Sequence, residues 1–155
     1  MTISAQLKSH LAQAHVSYSP IYHLPTRAAQ FTAAVLRVPG KEVAKTVVFR
    51  VGNTPLLAVL PASCHVNLKK LEAAVGAPVQ LFDKEECSKL FPDCEAGVIP
   101  PFGELYGLPV YMDQALADNP EIIFNAGTRF DAIQMGNVDF VRLVKPQICL
   151  FAEKP

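Results

Sequence analysis

Lys45 is the side chain in this sequence best placed to do chemistry, because it stands in an apolar run at residues 43–49. A lysine beside such a run is most often a solvated strand end. If a pocket lies beside it, however, the ammonium group can bind a phosphate or stabilise a developing oxyanion. The position therefore admits two interpretations, a solvated strand end and a cation held at a binding site.

A loop at residues 97–103 could supply further contacts to such a site. It is apolar, has neither a helical nor a strand period, and reads Gly97, Val98, Ile99, Pro100, Pro101, Phe102 and Gly103. Proline fixes φ and glycine leaves the backbone bare, so this loop can present amides and carbonyls to a small ligand with little ordering cost. The alternative is an ordinary surface turn. Asn125, Gly127 and Thr128, where another strand ends, form a third polar edge.

The common catalytic arrangements are absent from the sequence. It contains no Gly-x-Ser-x-Gly elbow, no phosphate-binding P-loop and no Gly-x-Gly-x-x-Gly motif. Metal-site spacing is also missing among the four histidines, His10, His15, His23 and His65. If Cys64 and His65 lie on a strand, their side chains point to opposite faces and cannot share a proton. Cys94 stands between Asp93 and Glu95, whose charges would raise the thiol pKa.

The composition predicts one globular domain over residues 1–155, because half of the residues are apolar and the charged fraction is modest. No apolar run is long enough to span a membrane, and residues 1–11 lack the pattern of a signal peptide, so a cytoplasmic location is expected. The four scattered cysteines are expected to be reduced thiols. The formal net charge is zero, so any RNA contact should be weak, local or assisted by another protein.

The elements that must position these residues are interspersed helices and strands. A hairpin is predicted from strands at 45–51 and 55–60 around Gly52, Asn53 and Thr54. Other strands are predicted at 16–22 (interrupted at Pro20), 79–82, 108–112, 121–125, 130–135 and 147–152. The predicted helix N-caps are Thr2, Thr26, Asn67, Asp83 and Asn137. Regular strand–helix–strand spacing is rare, which favours an α+β fold with a mixed, mostly antiparallel sheet, curled into a pseudo-barrel with helices packed around it.

The ordered set of motifs resembles the YbaK/EbsC family, which includes the editing domain inserted in bacterial prolyl-tRNA synthetases. The resemblance covers nearly the whole chain. Its motifs are His23-x-x-Thr26, the run at 43–49, Leu60-Pro61, Gly97-x-x-x-Pro101 followed by Phe102-Gly103, Asn125-Ala126-Gly127 and the helix at 137–144.

The resemblance implies a trans-acting deacylase that hydrolyses the ester joining a wrong amino acid to the 3′ adenosine of tRNA. Lys45 would be the essential residue and would position the terminal nucleotide, while the loop at 97–101 would hold the amino acid through its backbone. The other substrate contacts implied are Thr26, Thr46, Phe102, Gly103, Asn125, Gly127 and Thr128. The reaction would need no cofactor, metal or protein nucleophile, because water attacks with help from a ribose hydroxyl. A synthetase or an elongation factor is the expected partner for delivery.

The sequence departs from the family pattern in two places. Some branches carry a histidine in the segment matching residues 120–129, where this chain has none. The loop has Val98, Ile99 and Pro100 where better-known branches have smaller or polar residues. The identity of the substrate therefore cannot be transferred from either the cysteine-specific or the alanine-specific branch.

Two other functions fit the same residues. One is a non-catalytic binding or regulatory module on this fold, favoured by the neutral charge and the altered pocket residues. The other is a hydrolase of small esters or thioesters that needs no tRNA. The sequence leaves the oligomeric state open.

Overall fold

A computed structural model of the chain describes residues 4–26 and 28–155. Its helices are α1 (Ala5–Gln13), α2 (Ala29–Leu36), α3 (Leu68–Val75), α4 (Lys84–Leu90), α5 (Gln114–Ala117) and α6 (Asn137–Val144). Its strands are β1 (Tyr18–Tyr22), β2 (Val43–Val51), β3 (Thr54–Pro61), β4 (His65–Val66), β5 (Gln80–Leu81), β6 (Val110–Asp113), β7 (Glu121–Asn125), β8 (Asp131–Gly136), β9 (Gln147–Cys149) and β10 (Ala152–Glu153). Short 3-10 turns occupy Gly40–Glu42 and Gly103–Tyr106.

Eight of the strands form one mixed sheet in the order β1-β8-β7-β2-β3-β6-β9, with β5 paired beside β7 on the same edge of β2. The β1–β8, β8–β7, β2–β3 and β2–β5 ladders are antiparallel, whereas β2–β7, β3–β6 and β6–β9 are parallel. The predicted α+β fold with a mixed, mostly antiparallel sheet is confirmed. The strands β1 and β9 are the two ends of the sheet, so the pseudo-barrel is not closed.

The central hairpin follows from turn chemistry and apolar strands. Val51 pairs with Thr54, which leaves Gly52 and Asn53 as a two-residue loop. Gly52 has a φ of 58°, a value that glycine adopts without strain and that tight hairpin turns require. The prediction of this hairpin is confirmed, and β2 becomes the strand that carries Lys45.

Both faces of the sheet are covered, because alternate residues of β2 contribute to different apolar clusters. Val48 belongs to the largest cluster, on the side of α1 and α6, where Phe102, Phe124 and Phe140 pack ring against ring. Phe49 belongs to a second cluster with Leu71 of α3. A third cluster joins Val43 to the apolar face of α2. Lys45 and Thr46 thus lie in a strand that is fixed by packing on both sides.

Several predicted helix starts need correction. The structure confirms the caps of α3 and α4, because Asn67 accepts from the N–H of Lys70 and Asp83 accepts from the N–H of Glu85. Thr26 is not the cap of α2, which begins after Ala28 without a side-chain cap. The predicted cap Thr2 lies outside the described residues.

Asn137 is also not a cap. It is the first residue of α6, and its buried Nδ2 atom donates to the carbonyl oxygens of Leu116 and Asn119 at 2.9 and 2.8 Å. A buried amide is stabilised best where it finds backbone partners, and here those partners are Leu116 in α5 and Asn119 in the turn that follows α5. The side chain therefore joins two elements rather than ending one. The expected break of the first strand at Pro20 is absent too, since β1 pairs continuously with β8 at the edge of the sheet, where proline is tolerated.

The single terminal strand predicted at 147–152 is wrong, because Asp113 divides it. The Oδ1 atom of Asp113 accepts from the N–H groups of Phe151 and Ala152 at 2.8 and 2.7 Å. Its Oδ2 atom accepts from the N–H of Ala115 and caps α5. The chain consequently leaves β6 after β9 and pairs again only at β10, beside β4.

None of the helices in residues 4–26 and 28–155 has the length and apolar character needed to cross a membrane.

Replacement of the buried Asp113 by alanine should destabilise the fold. Asp113→Ala leaves three backbone N–H groups without their acceptor, so we expect the free energy of unfolding to fall by about 3 kcal/mol, as measured by urea denaturation. Asp118→Ala, which removes an exposed carboxylate bonded to Gln114, is the matched control and should change little. Equal stability of the two variants would contradict this role of Asp113.

Candidate functional site

Two adjoining cavities open where the loop after α4 crosses β2. The smaller has a volume of about 160 Å³ and the larger about 440 Å³. They share four lining residues, Thr46, Val47, Gly97 and Ile99. Two predicted site residues that are far apart in the sequence, Lys45 and Asn125, both line the smaller cavity, together with residues 28–30 at the start of α2.

Lys45 presents a cation to the smaller cavity. Its side chain is half-buried, and Nζ donates to the carbonyl oxygen of Cys64 at 3.1 Å. An ammonium group has three N–H donors, so two remain for a ligand. The ion pairs within residues 4–26 and 28–155 are His10–Glu104, Arg129–Glu95 and Arg142–Asp139, and none of them includes Lys45. The charge is therefore positioned by a neutral carbonyl and is available to an anion.

Asn125 is oriented by a chain of buried hydroxyl groups. Thr26 Oγ1 and Thr32 Oγ1 are 2.6 Å apart, and Thr32 Oγ1 donates to Asn125 Oδ1 at 2.9 Å. Because Oδ1 is used by Thr32, Nδ2 is the atom of Asn125 that remains as a donor for the cavity. Thr26 is thus placed behind the cavity, where it supports Asn125 through Thr32. Sequence reasoning missed Thr32, whose only signal is a hydroxyl on the buried face of an otherwise apolar helix.

The loop that carries Gly97 is held by backbone hydrogen bonds to the turn after β7. Glu95 N–H donates to the Gly127 carbonyl at 2.7 Å, and Gly127 N–H donates to the Val98 carbonyl at 2.9 Å. Gly97 and Gly127 have φ values of 82° and 94°, which glycine adopts without strain. These bonds keep Gly97 and Ile99 against β2.

A carboxylate strengthens the same junction. Glu95 Oε2 accepts from Arg129 N at 2.8 Å and from Arg129 Nε at 3.2 Å. Thr128 Oγ1 donates to Asp131 Oδ2 at 2.6 Å, which fixes the turn from its other side. Gly127, Thr128 and Arg129 therefore position the loop, and neither Gly127 nor Thr128 is among the residues lining the two cavities.

Part of the predicted loop lies behind the cavities. Gly97 and Ile99 line both of them, whereas the side chains of Val98, Pro100, Pro101 and Phe102 are buried. Gly103 is also buried, and a Cβ atom there would lie 2.4 Å from the Leu108 carbonyl oxygen. The structure thus brings together Lys45, Thr46, Gly97, Ile99 and Asn125, and the other predicted contacts support them from the core.

The start of the loop is anchored by Asp93. Its carboxylate accepts from the hydroxyl groups of Ser4 and of Tyr106, the latter at 2.9 Å. Burial acts to raise the pKa of Asp93, but the hydrogen bonds from Ser4 and Tyr106 outweigh it and hold the pKa below its usual value. Burial, with the charge of Asp93 beside it, raises the pKa of the Cys94 thiol to about 12. Cys94 is therefore protonated at neutral pH and is a poor nucleophile, as the sequence predicts.

The profile of the family described as "Aminoacyl-tRNA editing domain" matches residues 23–143. Two relatives, from Escherichia coli strain K12 and from Escherichia coli O157:H7, are each named "Multifunctional Ser/Thr-tRNA deacylase ProXp-y". Each is 30% identical to this chain over 101 residues, which are 64% of this chain and 60% of the relative. The match thus spans less than two thirds of the length of these relatives.

Solved structures share the fold. The crystal structure of hypothetical protein APE2540 has a TM-score of 0.86 and 18% identity, and the similarity covers 96% of this chain and 99% of that one. A candidate trans-editing enzyme for prolyl tRNA synthetase has a TM-score of 0.82 and 23% identity, covering 97% and 96% of the two chains. At these identities the likeness establishes the architecture alone.

Loss of the Tyr106 hydroxyl should weaken the anchor of the loop in a pH-dependent way. The pKa of Asp93 is lower in the folded than in the unfolded protein, where it is about 3.9. The contribution of the Asp93 carboxylate to the free energy of unfolding is therefore present above the unfolded pKa and is lost as pH falls through the folded pKa. Tyr106→Phe should therefore lower the free energy of unfolding at pH 7 by about 1 kcal/mol, and the difference from wild type should narrow below pH about 4.

Urea denaturation across a pH series measures this difference. The matched control is Tyr18→Phe, which removes the hydroxyl of another half-buried tyrosine that has no side-chain partner in the described part of the chain. A Tyr106→Phe deficit that stays constant down to pH 2.5 would contradict the assignment to Asp93.

Proposed function

The chain belongs to the aminoacyl-tRNA editing domain family, and we propose that it is a trans-acting deacylase that hydrolyses the ester of mischarged aminoacyl-tRNA. The observation that carries the proposal is the convergence of Lys45, Gly97 and Asn125 on one small cavity. These residues are far apart in the sequence and differ in chemistry. Together they supply a cation, bare backbone and an amide donor within the volume of a small aminoacyl group.

In the proposed reaction, Lys45 binds the negatively charged end of the substrate. Its two unused N–H donors hold a phosphate oxygen of the terminal nucleotide, while the carbonyl of Cys64 keeps the ammonium group in place. The backbone at Gly97 supports the aminoacyl group. This arrangement fixes the ester relative to the protein before any bond changes, and such positioning can supply a large part of the rate of an already activated ester.

The bond changes then need water and the substrate itself. A water molecule, deprotonated with help from the free ribose hydroxyl, attacks the ester carbonyl carbon. The bond between that carbon and the ribose oxygen breaks, and the ribose oxygen takes up the proton. The products are a free amino acid and an uncharged 3′ end. Protein groups act by orienting the ester and by stabilising the negative charge that develops on its carbonyl oxygen.

The size and polarity of the smaller cavity favour a small hydroxylated amino acid, with serine as the first candidate. A volume of about 160 Å³ limits the side chain that can enter. Asn125 Nδ2 provides a donor where the wall is otherwise mostly apolar. A site built to hydrogen-bond a substrate hydroxyl discriminates strongly against the analogue that lacks it. The names of the two relatives, which specify Ser/Thr-tRNA, support the same class.

A non-catalytic binding module remains the second candidate. The described residues that line the smaller cavity include no carboxylate and no imidazole that could act as a general base. In the deacylase, no protein base is needed, because the free ribose hydroxyl of the substrate helps to move the proton from the attacking water. In a binding module, the same cavity would hold an aminoacyl-nucleoside without turnover.

Removal of the Lys45 ammonium group tests the proposal. We expect wild type to release serine from mischarged seryl-tRNA, and Lys45→Ala to lower kcat/KM about 100-fold or more, because the cation that holds the terminal nucleotide is lost. Alanyl-, cysteinyl- and threonyl-tRNA complete the substrate panel. Lys69→Ala, at an exposed lysine of α3, is the matched control and should keep full activity.

Two outcomes would count against the deacylase. Hydrolysis that survives in Lys45→Ala would separate the activity from this cavity. No release from any member of the panel by folded wild type, together with binding of a non-hydrolysable aminoacyl-adenosine, would instead support the binding module.

Asn125→Ala should change the preference between amino acids. Thr32 still reaches Thr26 and the Ala28 carbonyl in this variant, so the fold should persist. Loss of the Nδ2 donor should lower kcat/KM for seryl-tRNA about tenfold relative to alanyl-tRNA, measured with the two esters on the same tRNA. An equal fall in kcat/KM for both esters would show that Asn125 does not recognise the serine hydroxyl.

A further inference from the structure

The last residue of β1 belongs to an exposed aromatic pair that has no role in the function proposed so far. The rings of Tyr22 and Phe130 are stacked, with centroids 5.8 Å apart and an angle of 8° between their planes. Tyr22 is nevertheless 76% exposed. Phe130 covers one face of the Tyr22 ring, and an exposure this high leaves the other face open to solvent. This pair is called the aromatic platform below.

The aromatic platform is held by backbone hydrogen bonds. The antiparallel ladder between β1 and β8 ends at the pair Tyr22–Asp131. Directly beyond it, His23 N–H donates to the Phe130 carbonyl oxygen at 2.8 Å. The backbone under both rings is therefore fixed, and a ligand that stacks on the platform loses little free energy to ordering of the protein.

The two segments that carry the platform continue into the wall of the smaller cavity. Thr26 N–H donates to the Arg129 carbonyl oxygen at 2.9 Å. The Thr26 hydroxyl is linked through Thr32 to Asn125, which lines the cavity. Residues 28–30, which follow on the same segment, line the cavity as well. The platform and the smaller cavity are thus built by the same segment after β1 and the same turn between β7 and β8.

Arg129 places a positive charge next to the platform. It directly precedes Phe130, its side chain is 39% exposed, and its Nε atom donates to Glu95 Oε2 at 3.2 Å. Among the described residues, only this nitrogen of the guanidinium group has a hydrogen-bond partner. The two terminal nitrogens are therefore available to an anion, while Glu95 fixes the direction of the side chain.

These features together fit an unpaired nucleotide. Every nucleobase has a flat π face that stacks on an aromatic ring, and proteins bind single-stranded nucleic acids with such rings and with cations that contact the phosphates. An aliphatic protein surface would not need an open, flat ring face beside a free guanidinium edge. Stacking also supplies affinity that does not depend on net charge, which is zero for this chain.

The proposed substrate supplies unpaired nucleotides at this position. The 3′ end of tRNA is single-stranded, so the nucleotides that precede the terminal adenosine expose their base faces. With the aminoacyl group in the smaller cavity, these nucleotides leave the site over a neighbouring surface. The aromatic platform is such a surface.

We propose that the aromatic platform stacks the base of an unpaired nucleotide that precedes the terminal adenosine, with Arg129 on a phosphate of the same strand. This inference rests on the proposed function, because it assigns a further part of the same substrate. The platform adds affinity for the 3′ end without choosing between bases, since stacking tolerates any sequence.

The first test compares three stable analogues in which serine is joined by an amide to 3′-amino-3′-deoxyadenosine. The first analogue is this nucleoside alone, the second carries two cytidines before it, and the third carries two abasic residues instead. We expect the second analogue to bind wild type about tenfold or more tightly than the third, as measured by titration calorimetry. Equal affinities of the second and third would overturn the proposal, because the phosphates alone would then account for binding.

The second test separates stacking from general apolar contact. Tyr22→Phe keeps the ring and should bind the second analogue as wild type does, whereas Tyr22→Leu is apolar but has no π face and should lose about tenfold in affinity. All variants should bind the first analogue equally, which shows that they are folded. Leu150→Ala, at another exposed apolar position, is the matched control. Wild-type affinity in Tyr22→Leu would overturn the proposal and would leave this surface to a protein partner.

A fluorescent base gives a direct readout of stacking. Pyrrolocytosine, in place of the cytosine next to the terminal adenosine, should be quenched on binding to wild type and to Tyr22→Phe, and much less on binding to Tyr22→Leu. The same quenching in all three proteins would contradict a stack on Tyr22.

The two proposals fail separately. If wild type hydrolyses seryl-tRNA with a KM that Tyr22→Leu does not change, the deacylase stands and the nucleotide platform falls. If wild type hydrolyses nothing but binds the second analogue in a way that depends on the Tyr22 ring, the platform stands and the deacylase falls.

Discussion

The candidate site depends on the backbone hydrogen bonds between the loop at residues 95–98 and the turn after β7. Glu95 and Val98 exchange bonds with the two backbone groups of Gly127. This junction resembles one rung of a sheet, although neither segment is a strand. It closes the loop over β2, and both cavities are formed by that closure. Without it, Gly97 and Ile99 would have no fixed relation to Lys45 or Thr46.

The strand under this loop combines rigidity with an open edge. Apolar residues of β2 are packed into clusters on both faces of the sheet, so the position of the strand is determined by burial. Its edge beside Thr46 is nevertheless unpaired in the described structure, because β7 and β5 each cover only part of it. Backbone N–H and C=O groups that lack hydrogen-bond partners cost free energy when they are kept from water. A polar ligand that pairs with this edge recovers those hydrogen bonds. This is a physical reason for a binding site at this position.

The chemistry proposed for the site relies on position more than on reactive side chains. Lys45 is oriented by a neutral carbonyl, and the Asn125 amide is oriented by two threonine hydroxyl groups. The half-buried thiol of Cys94 stays protonated, because burial and the charge of Asp93 raise its pKa. A chain with a formal net charge of zero gains little from general attraction to RNA, so in the proposed reaction the acceptor end would be recognised by these local contacts or with the assistance of another protein.

Local patterns in the sequence were sufficient for much of the fold. The Gly52–Asn53 hairpin and the helix caps at Asn67 and Asp83 depend on neighbouring residues only, and the structure confirms them. Thr26 and Asn137 were predicted as caps because their types favour caps. Both are instead buried and hydrogen-bonded away from their own turn: Thr26 to Thr32 of α2, and Asn137 to the carbonyl of Leu116 in α5. A cap preference is a local free energy of about 1 kcal/mol, and a buried polar side chain that needs partners outweighs it.

In the candidate site, too, some features follow from local sequence and others from contacts between distant residues. The residue types available to the site, Lys45 in an apolar run and a glycine–proline loop, can be read from the sequence because they depend on composition and order. Which of these residues share a cavity depends on the folded chain. It separated Gly97 and Ile99, which face the cavities, from Val98, Pro100, Pro101 and Phe102, which face the core. The structure also shows that Thr32 orients Asn125, and that the β2 edge at Thr46 pairs with neither β7 nor β5. The orientation of a loop and the pairing of a strand edge are set by contacts between residues distant in sequence, and no local pattern records these contacts.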